Sequence, residues 1–260
     1  MVMPSTRACP ADHVSQMGSL YEEAIALRPD YAVAQVDLAR ALVVTGRPAE
    51  AIPHYMEALK YQPGHADWQL GLGVAYDEEG DAARALEHDR AAISLDPGFA
   101  QAHNNEATNL AALGRVAEAL EELRTALRIK PDYADARKNL AAILERTSSD
   151  EANRGEFARA IAGYREALSV SPDDAGARAE LGLALAMSGQ VDDALAELAE
   201  SVRLAPQSAR AHAYRGFALA RAGRFAEALR EYDASLAIAP GDEDVLAQRA
   251  EAKKALAGSR

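Results

Sequence analysis

One interval constrains this chain more than any other feature. Prolines fall at Pro29, Pro63, Pro97, Pro131, Pro172, Pro206 and Pro240, 34 residues apart at every step but one, which is 41. Glycines keep the same beat at Gly46, Gly80, Gly114, Gly155, Gly189 and Gly223, and alanines keep it at Ala51, Ala85, Ala119, Ala160, Ala194 and Ala228. Three residue types share one period and one seven-residue slip. A fixed period of this length means a stack of small units, each burying its apolar face only against its neighbours.

Each unit reads as two amphipathic helices, A and B. The glycine between them suits a left-handed residue that ends helix A, and the proline ends helix B. Counting so that the proline is the thirty-second position, the eighth is always small: Ala39, Gly73, Ala107, Ala141, Gly182 and Gly216. Small residues there let two helices approach closely. Leu38, Leu72, Leu140 and Leu181 fill the seventh position. Leu42, Tyr76, Leu110, Leu144, Leu185 and Leu219 fill the eleventh, and both sets are core candidates. Composition agrees, since 49% of residues are hydrophobic but only 5% aromatic. Such alanine-rich chains pack as helices better than as sheets.

These residues resemble the tetratricopeptide repeat, most clearly in ADWQLGLGVAYDEEGDAARALEHDRAAISLDP, which ends at Pro97. The resemblance covers nearly everything after residue 17. It implies an all-α fold, a right-handed α-solenoid of stacked antiparallel helix pairs. Six full repeats are expected at 32–65, 66–99, 100–133, 134–174, 175–208 and 209–242. A half repeat at 17–31 precedes them, and a capping helix at 243–260 follows. Residues 1–16 carry no repeat pattern and are expected to form a disordered tail. The fourth repeat holds its seven extra residues between Leu144 and Gly155. They either lengthen the hairpin arms or form a polar loop that exposes Ser148 and Ser149. Pro53 falls inside a B helix and is expected to bend it near Ala49. Asp89, Glu106 and Arg215 stand where other repeats are apolar, so each needs a partner or a route to solvent.

The formal net charge of -12 disfavours nucleic-acid binding, which needs a positive face, and an anionic membrane surface. No run is long and apolar enough for a membrane-spanning helix, and MVMPSTRACPADHVSQ has no apolar stretch of a secretory signal. Cys9 is the single cysteine, so no disulfide forms within the chain. The sequence is expected to be cytoplasmic.

No chemistry-bearing motif emerges. His54 and His88 share one position in adjacent repeats, roughly 10 Å apart by the usual interhelix spacing and too far for one metal. Gly71 and Gly73 lack the third glycine and the preceding strand of a dinucleotide site. No HExxH, CxxC, P-loop or GxSxG occurs. The chain is expected to be non-enzymatic, with no cofactor.

The resemblance implies a curved stack whose A helices line an inner face. Its positions map to Val36, Arg40, Val43, Val44, Leu70, Val74 and Asp77 in the first two repeats. Asn104, Asn105, Thr108, Lys138, Asn139 and Arg146 follow in the third and fourth. Leu183, Met187, Tyr214, Phe217 and Arg221 complete the set in the fifth and sixth. Asn105 and Asn139 occupy one position in successive repeats and resemble two rungs of the asparagine ladder of the O-linked glycosyltransferase superhelix. The carboxylate clamp of chaperone-binding relatives is not matched, because Ala142 and Glu180 stand where it needs asparagines. The expected partner is a protein or peptide segment held in this groove. Two alternatives are self-association of the chain into a homo-oligomer through the N-terminal B helix, and a regulatory portion split from an enzyme such as a glycosyltransferase.

Overall fold

The structure, a computed structural model, describes residues 10–258. Within them every regular element is an α-helix. The expected tail falls outside the described residues as far as residue 9. From Pro10 the backbone is helical, so the first helix starts seven residues ahead of the expected half repeat. Proline suits a first helical position, where its missing N–H costs nothing.

The chain divides into two compact units, residues 1–136 and 137–260. The first holds α1 (Pro10–Leu27), α2 (Ala32–Val44), α3 (Pro48–Tyr61), α4 (Ala66–Glu78), α5 (Ala82–Leu95), α6 (Ala100–Ala112) and α7 (Val116–Ile129). The A helices α2, α4 and α6 have 13 residues each, and the B helices α3, α5 and α7 have 14. Each A helix packs on the B helix that follows and on the one before. The core of this unit gathers Val36, Leu38, Leu42, Tyr55, Trp68, Leu72 and Tyr76. Helix α3 continues through Pro53 without interruption.

The second unit repeats the pattern. Helix α8 (Ala134–Asn153) starts at the boundary, and α9 (Phe157–Val170), α10 (Ala175–Met187), α11 (Val191–Leu204), α12 (Ala209–Arg221), α13 (Phe225–Ile238) and α14 (Glu243–Gly258) follow. Ile161, Tyr164, Leu181, Leu185 and Leu198 form its main core, and Leu219, Tyr232, Val245 and Ala252 a second one.

Two kinds of glycine hold each hairpin. The turn glycines all have positive φ, from 72° at Gly223 to 88° at Gly189, and a Cβ on any of them would meet open space. Backbone conformation selects glycine there. The turn closes as a Schellman motif, with the Arg47 N–H donating to the Leu42 carbonyl at 2.8 Å and the Gly46 N–H to Val43 at 3.0 Å. The eighth-position glycines are selected by space instead. A Cβ at Gly216 would lie 2.6 Å from the Tyr232 ring, and one at Gly182 would collide with Leu198.

The insertion lies wholly in one helix. Helix α8 has 20 residues against 13 in the other interior A helices, while α9 keeps the usual 14. Seven residues are two helical turns less about 20°, so the buried stripe returns almost in phase. Leu140, Ala141, Leu144 and Ser148 are all buried along it. Ser148 was one of two serines an exposed loop would have offered. It is 1% exposed, pressed against Gly163 on α9, while Ser149 is exposed. Counted back from Gly155, Ser148 holds the place that Gly73 holds before Gly80.

Gly216→Leu should overpack the α12–α13 contact and destabilise the protein by roughly 1–3 kcal/mol. A lowered thermal midpoint by circular dichroism is the expected result, and an unchanged midpoint would refute the close-approach account.

Candidate peptide-binding face

A polar contact joins helix A to helix B and sets how helix A is turned. Position four of helix A meets position twenty-three of helix B in five of the six hairpins. His54 Nδ1 lies 2.6 Å from Gln35 Oε1, and His88 Nδ1 lies 2.9 Å from Gln69 Oε1. His103 meets Glu122 at 2.6 Å, Arg178 meets Glu197 at 2.7 Å, and His212 meets Glu231 at 2.8 Å. The same A-helix side chains reach back to the loop before them. Gln35 reaches the Pro29 carbonyl, His103 that of Pro97, Arg178 that of Pro172 and His212 that of Pro206. In these four hairpins the clasp holds its A helix against both the loop and the B helix. Sequence reading saw the histidines but not their partners. The signal was a recurrent spacing of 19 residues between the clasped pairs.

In the first unit, five of the expected residues line one concavity. A cleft of about 280 Å³ is lined by Arg40, Val43, Val44, Leu70, Val74 and Phe99, among others. Val44 is 77% exposed and Val74 half-buried, while Leu70, 5% exposed, forms the floor. Val36 lies deeper, at 1% exposure in the core, and offers a partner almost no surface. Arg40 stands at the rim and pairs with Asp67 at 2.9 Å and Asp37 at 3.6 Å. Burial pushes the Tyr55 hydroxyl pKa up beneath the cleft, partly offset by Arg40. Asp77 is exposed beyond it. On α6, Asn104 is 6% exposed and its amide lies 3.5 Å from Asn105 Oδ1. The Thr108 hydroxyl donates to the Asn105 carbonyl at 2.8 Å.

In the second unit, Leu183, Tyr214 and Phe217 are half-buried and Met187 is 44% exposed. Arg210 pairs with Glu180 at 3.0 Å, next to Tyr214. Burial raises the pKa of both Glu180 and Tyr214. Arg221 lies over the Phe217 ring at 5.8 Å. On α8, Lys138 and Arg146 are exposed and Asn139 is half-buried. The long helix changes the asparagine register. Asn105 lies nine residues before Gly114, but nine residues before Gly155 stands Arg146. Relative to its own hairpin, Asn139 sits two turns further towards the helix N-terminus.

Comparison with known proteins agrees with this architecture. Profiles of the tetratricopeptide repeat match residues 19–55, 36–98, 153–216 and 209–242, and one described as TPR repeat matches 109–148. The chain belongs to the tetratricopeptide repeat family. No curated protein sequence matches it. Among solved structures it is similar to YrrB, described as a TPR protein with an unusual peptide-binding site. That match has 22% identity and a TM-score of 0.55, covering 77% of this chain and 97% of YrrB. A tetratricopeptide repeat protein from Parabacteroides merdae matches with 15% identity and a TM-score of 0.51 over 93% of each chain. MamA matches with 23% identity and a TM-score of 0.53, covering 69% of this chain and 94% of MamA. These likenesses establish the fold. Among the described residues no helix is long and apolar enough to cross a membrane, and no group of three or more His, Cys, Asp or Glu is placed to hold a metal ion.

One tetratricopeptide repeat departs from the rest in its core. Position twenty-four is Tyr55, Leu123, Tyr164, Leu198 or Tyr232 elsewhere, but in the second repeat it is Asp89, which is 0% exposed. Asn109 donates to its Oδ2 at 2.9 Å, while its Oδ1 and the Asn109 Oδ1 find no protein partner. Glu106 is paired with Arg90 at 2.7 Å, and Arg215 with Glu231 at 3.0 Å, as their positions required. Burial pushes the Asp89 carboxyl up to about 7, with the Glu106 and Asp77 carboxylates adding to the rise and Asn109 opposing it. The native pKa is above the unfolded one, so this site favours folding fully below about pH 4 and loses that contribution as pH rises through 7. Asp89→Leu, which restores the residue type of the third and fifth repeats, should raise the melting temperature at pH 8 more than at pH 5. Equal shifts at both pH values would refute the buried-acid reading.

Proposed function

We propose that the chain is a protein-interaction module whose A-helix face takes an extended segment of a partner protein. The observation that carries this reading is the cleft between α2, α4 and the start of α6. Val43, Val44 and Val74 are apolar, partly or largely open to solvent, and set on rigid helices above the Leu70 floor. Exposed apolar groups arranged in a concavity mark an interaction site. At about 280 Å³ it is sized for one or two apolar side chains of a peptide. The description of YrrB as a TPR protein with an unusual peptide-binding site supports peptide binding as a use of this fold.

Arg40 gives the cleft a polar rim. Its bridge to Asp67 joins two half-exposed side chains, so it is worth roughly 0–1 kcal/mol. A carboxylate or backbone carbonyl of the incoming segment displaces it at little cost. The favoured peptide therefore carries an apolar residue for the Val44–Val74 cleft and an acceptor for Arg40. The second unit supplies a separate apolar surface of Leu183, Met187 and Phe217.

Peptides selected from a random display library on the wild-type protein test this directly. Val44→Asp and Val74→Asp should each weaken the selected peptides at least tenfold by isothermal titration, with helicity retained, and Arg40→Ala should weaken them less. Selected peptides that bind all three variants as tightly as wild type would place recognition elsewhere.

A further inference from the structure

We propose that one proton joins the two unpartnered oxygens buried between α5 and α6: Asp89 is held as the neutral acid, its Oδ1–H donating to Asn109 Oδ1, and loss of that proton loosens α6 from α5 beside the cleft. The two residues depart from the repeat together. Asp89 stands where the other repeats place Tyr55, Leu123, Tyr164, Leu198 or Tyr232. Asn109, ten residues into its own repeat, stands where Ala41, Ala75, Ala184 and Ala218 stand in theirs. A shorter side chain on the B helix is met by a longer one on the next A helix.

The count of donors and acceptors decides what the pair is. Asn109 Nδ2 donates to Asp89 Oδ2 at 2.9 Å. Asp89 Oδ1 and Asn109 Oδ1 have no protein partner, and neither residue is more than 2% exposed. Both atoms are acceptors while the carboxyl is ionised, and burying unpaired acceptors is costly. A protonated carboxyl gains one O–H donor. Acid and amide then close a ring of two hydrogen bonds, and one proton satisfies both oxygens.

The surroundings favour the uncharged form. The helices packed on α5 are α4 and α6, and the charges they bring to Asp89 are the Asp77 and Glu106 carboxylates. Arg90 on α5 is already taken, 2.7 Å from Glu106 and 3.9 Å from Glu118 on α7. Burial, together with these two acids, holds the Asp89 carboxyl up at about 7.

The site lies behind two walls of the cleft. A Cβ on Gly73 of α4 would lie 2.8 Å from Asp89 Oδ1, and Val74, the next residue, lines the cleft. Asn109 is on α6, and Phe99 and Gln101 at the start of that helix line the same cleft. Ionisation removes the donor and sets a carboxylate oxygen against the Asn109 carbonyl oxygen. An opened site returns Asp89 to its ordinary pKa of about 3.9. The closed form therefore has its full advantage below about pH 4 and loses it as pH rises through 7. The consequence for the cleft rests on the peptide-binding reading; the proton does not.

Nuclear magnetic resonance of the full chain with 13C-labelled aspartate tests the proton first. The Asp89 carboxyl carbon should titrate near 7, and the Asn109 side-chain amide should shift with the same midpoint. Amide hydrogen exchange tests the loosening. Corrected for the intrinsic rate, protection along α6 should fall by roughly tenfold or more from pH 5 to pH 8 in wild type. Asp89→Asn keeps a two-bond ring without a titrating proton and should hold that protection constant. If it does not fold, Asp89→Leu, which also has no proton to lose, carries the same comparison. An Asp89 midpoint near the ordinary value of about 3.9 overturns the proposal and points to a water bridging the two oxygens. Equal loss of protection in wild type and Asp89→Asn overturns it too. Peptides selected on the wild-type protein should bind it several-fold more weakly at pH 8 than at pH 5, and bind Asp89→Asn equally at both. A pH-independent affinity in wild type overturns the link to the cleft. Failure to select any peptide counts against the peptide-binding reading alone, and the titration and exchange still decide the proton.

Discussion

In each hairpin two helices come so close that the residue seven before the turn glycine has no room for a large side chain. Gly73 lies against Asp89 and the Ala85 carbonyl, Gly182 against Leu198, and Gly216 against Tyr232. That approach sets the depth of each pair, and the left-handed turn glycine sets its direction. The clasp between positions four and twenty-three then fixes the rotation of helix A. Together they decide which side chains are core and which are presented. Val36 and Val44 lie eight residues apart on α2, yet one is core and the other is 77% exposed. The proposed binding role rests on that partition, because the fold supplies a face and the outward residues supply its chemistry.

The fold was legible because its rule is periodic. Glycine, proline and alanine mark the same points of each unit, and the helices begin and end on that beat. The insertion was less legible. Its polar composition allowed a loop or longer arms, and the structure places all seven residues in α8. The deciding physics is phase: seven residues return the buried stripe of Leu140, Leu144 and Ser148 to the same side of the helix. The same phase argument separates Asn139 from the hairpin position of Asn105, a relation that equal spacing from the repeat start concealed.

The candidate face was legible in outline. Arg40, Val43, Val44, Leu70 and Val74 were assigned to one face by position, and they line one cleft. Depth was not legible, because helical periodicity gives direction but not how far a neighbour overlaps. Val36 and Asn104 therefore fall at 1% and 6% exposure. The clasps were missed for a related reason. A glutamine and a histidine 19 residues apart carry no meaning until the hairpin folds them together, whereupon one polar contact recurs in five repeats. Asp89 shows the reverse case: the sequence flagged it as out of place, and the structure shows a buried acid with one donor and an unpaired oxygen.

The central claim is that the A helices present the binding surface while the B helices hold it in place. Methyl-labelled nuclear magnetic resonance with a selected peptide reads this most directly. The claim predicts that shifts concentrate on Val43, Val44, Leu70 and Val74 and leave Leu59 and Leu86 on the B helices unmoved. Shifts confined to Leu59 and Leu86, with the cleft valines unchanged, would contradict it.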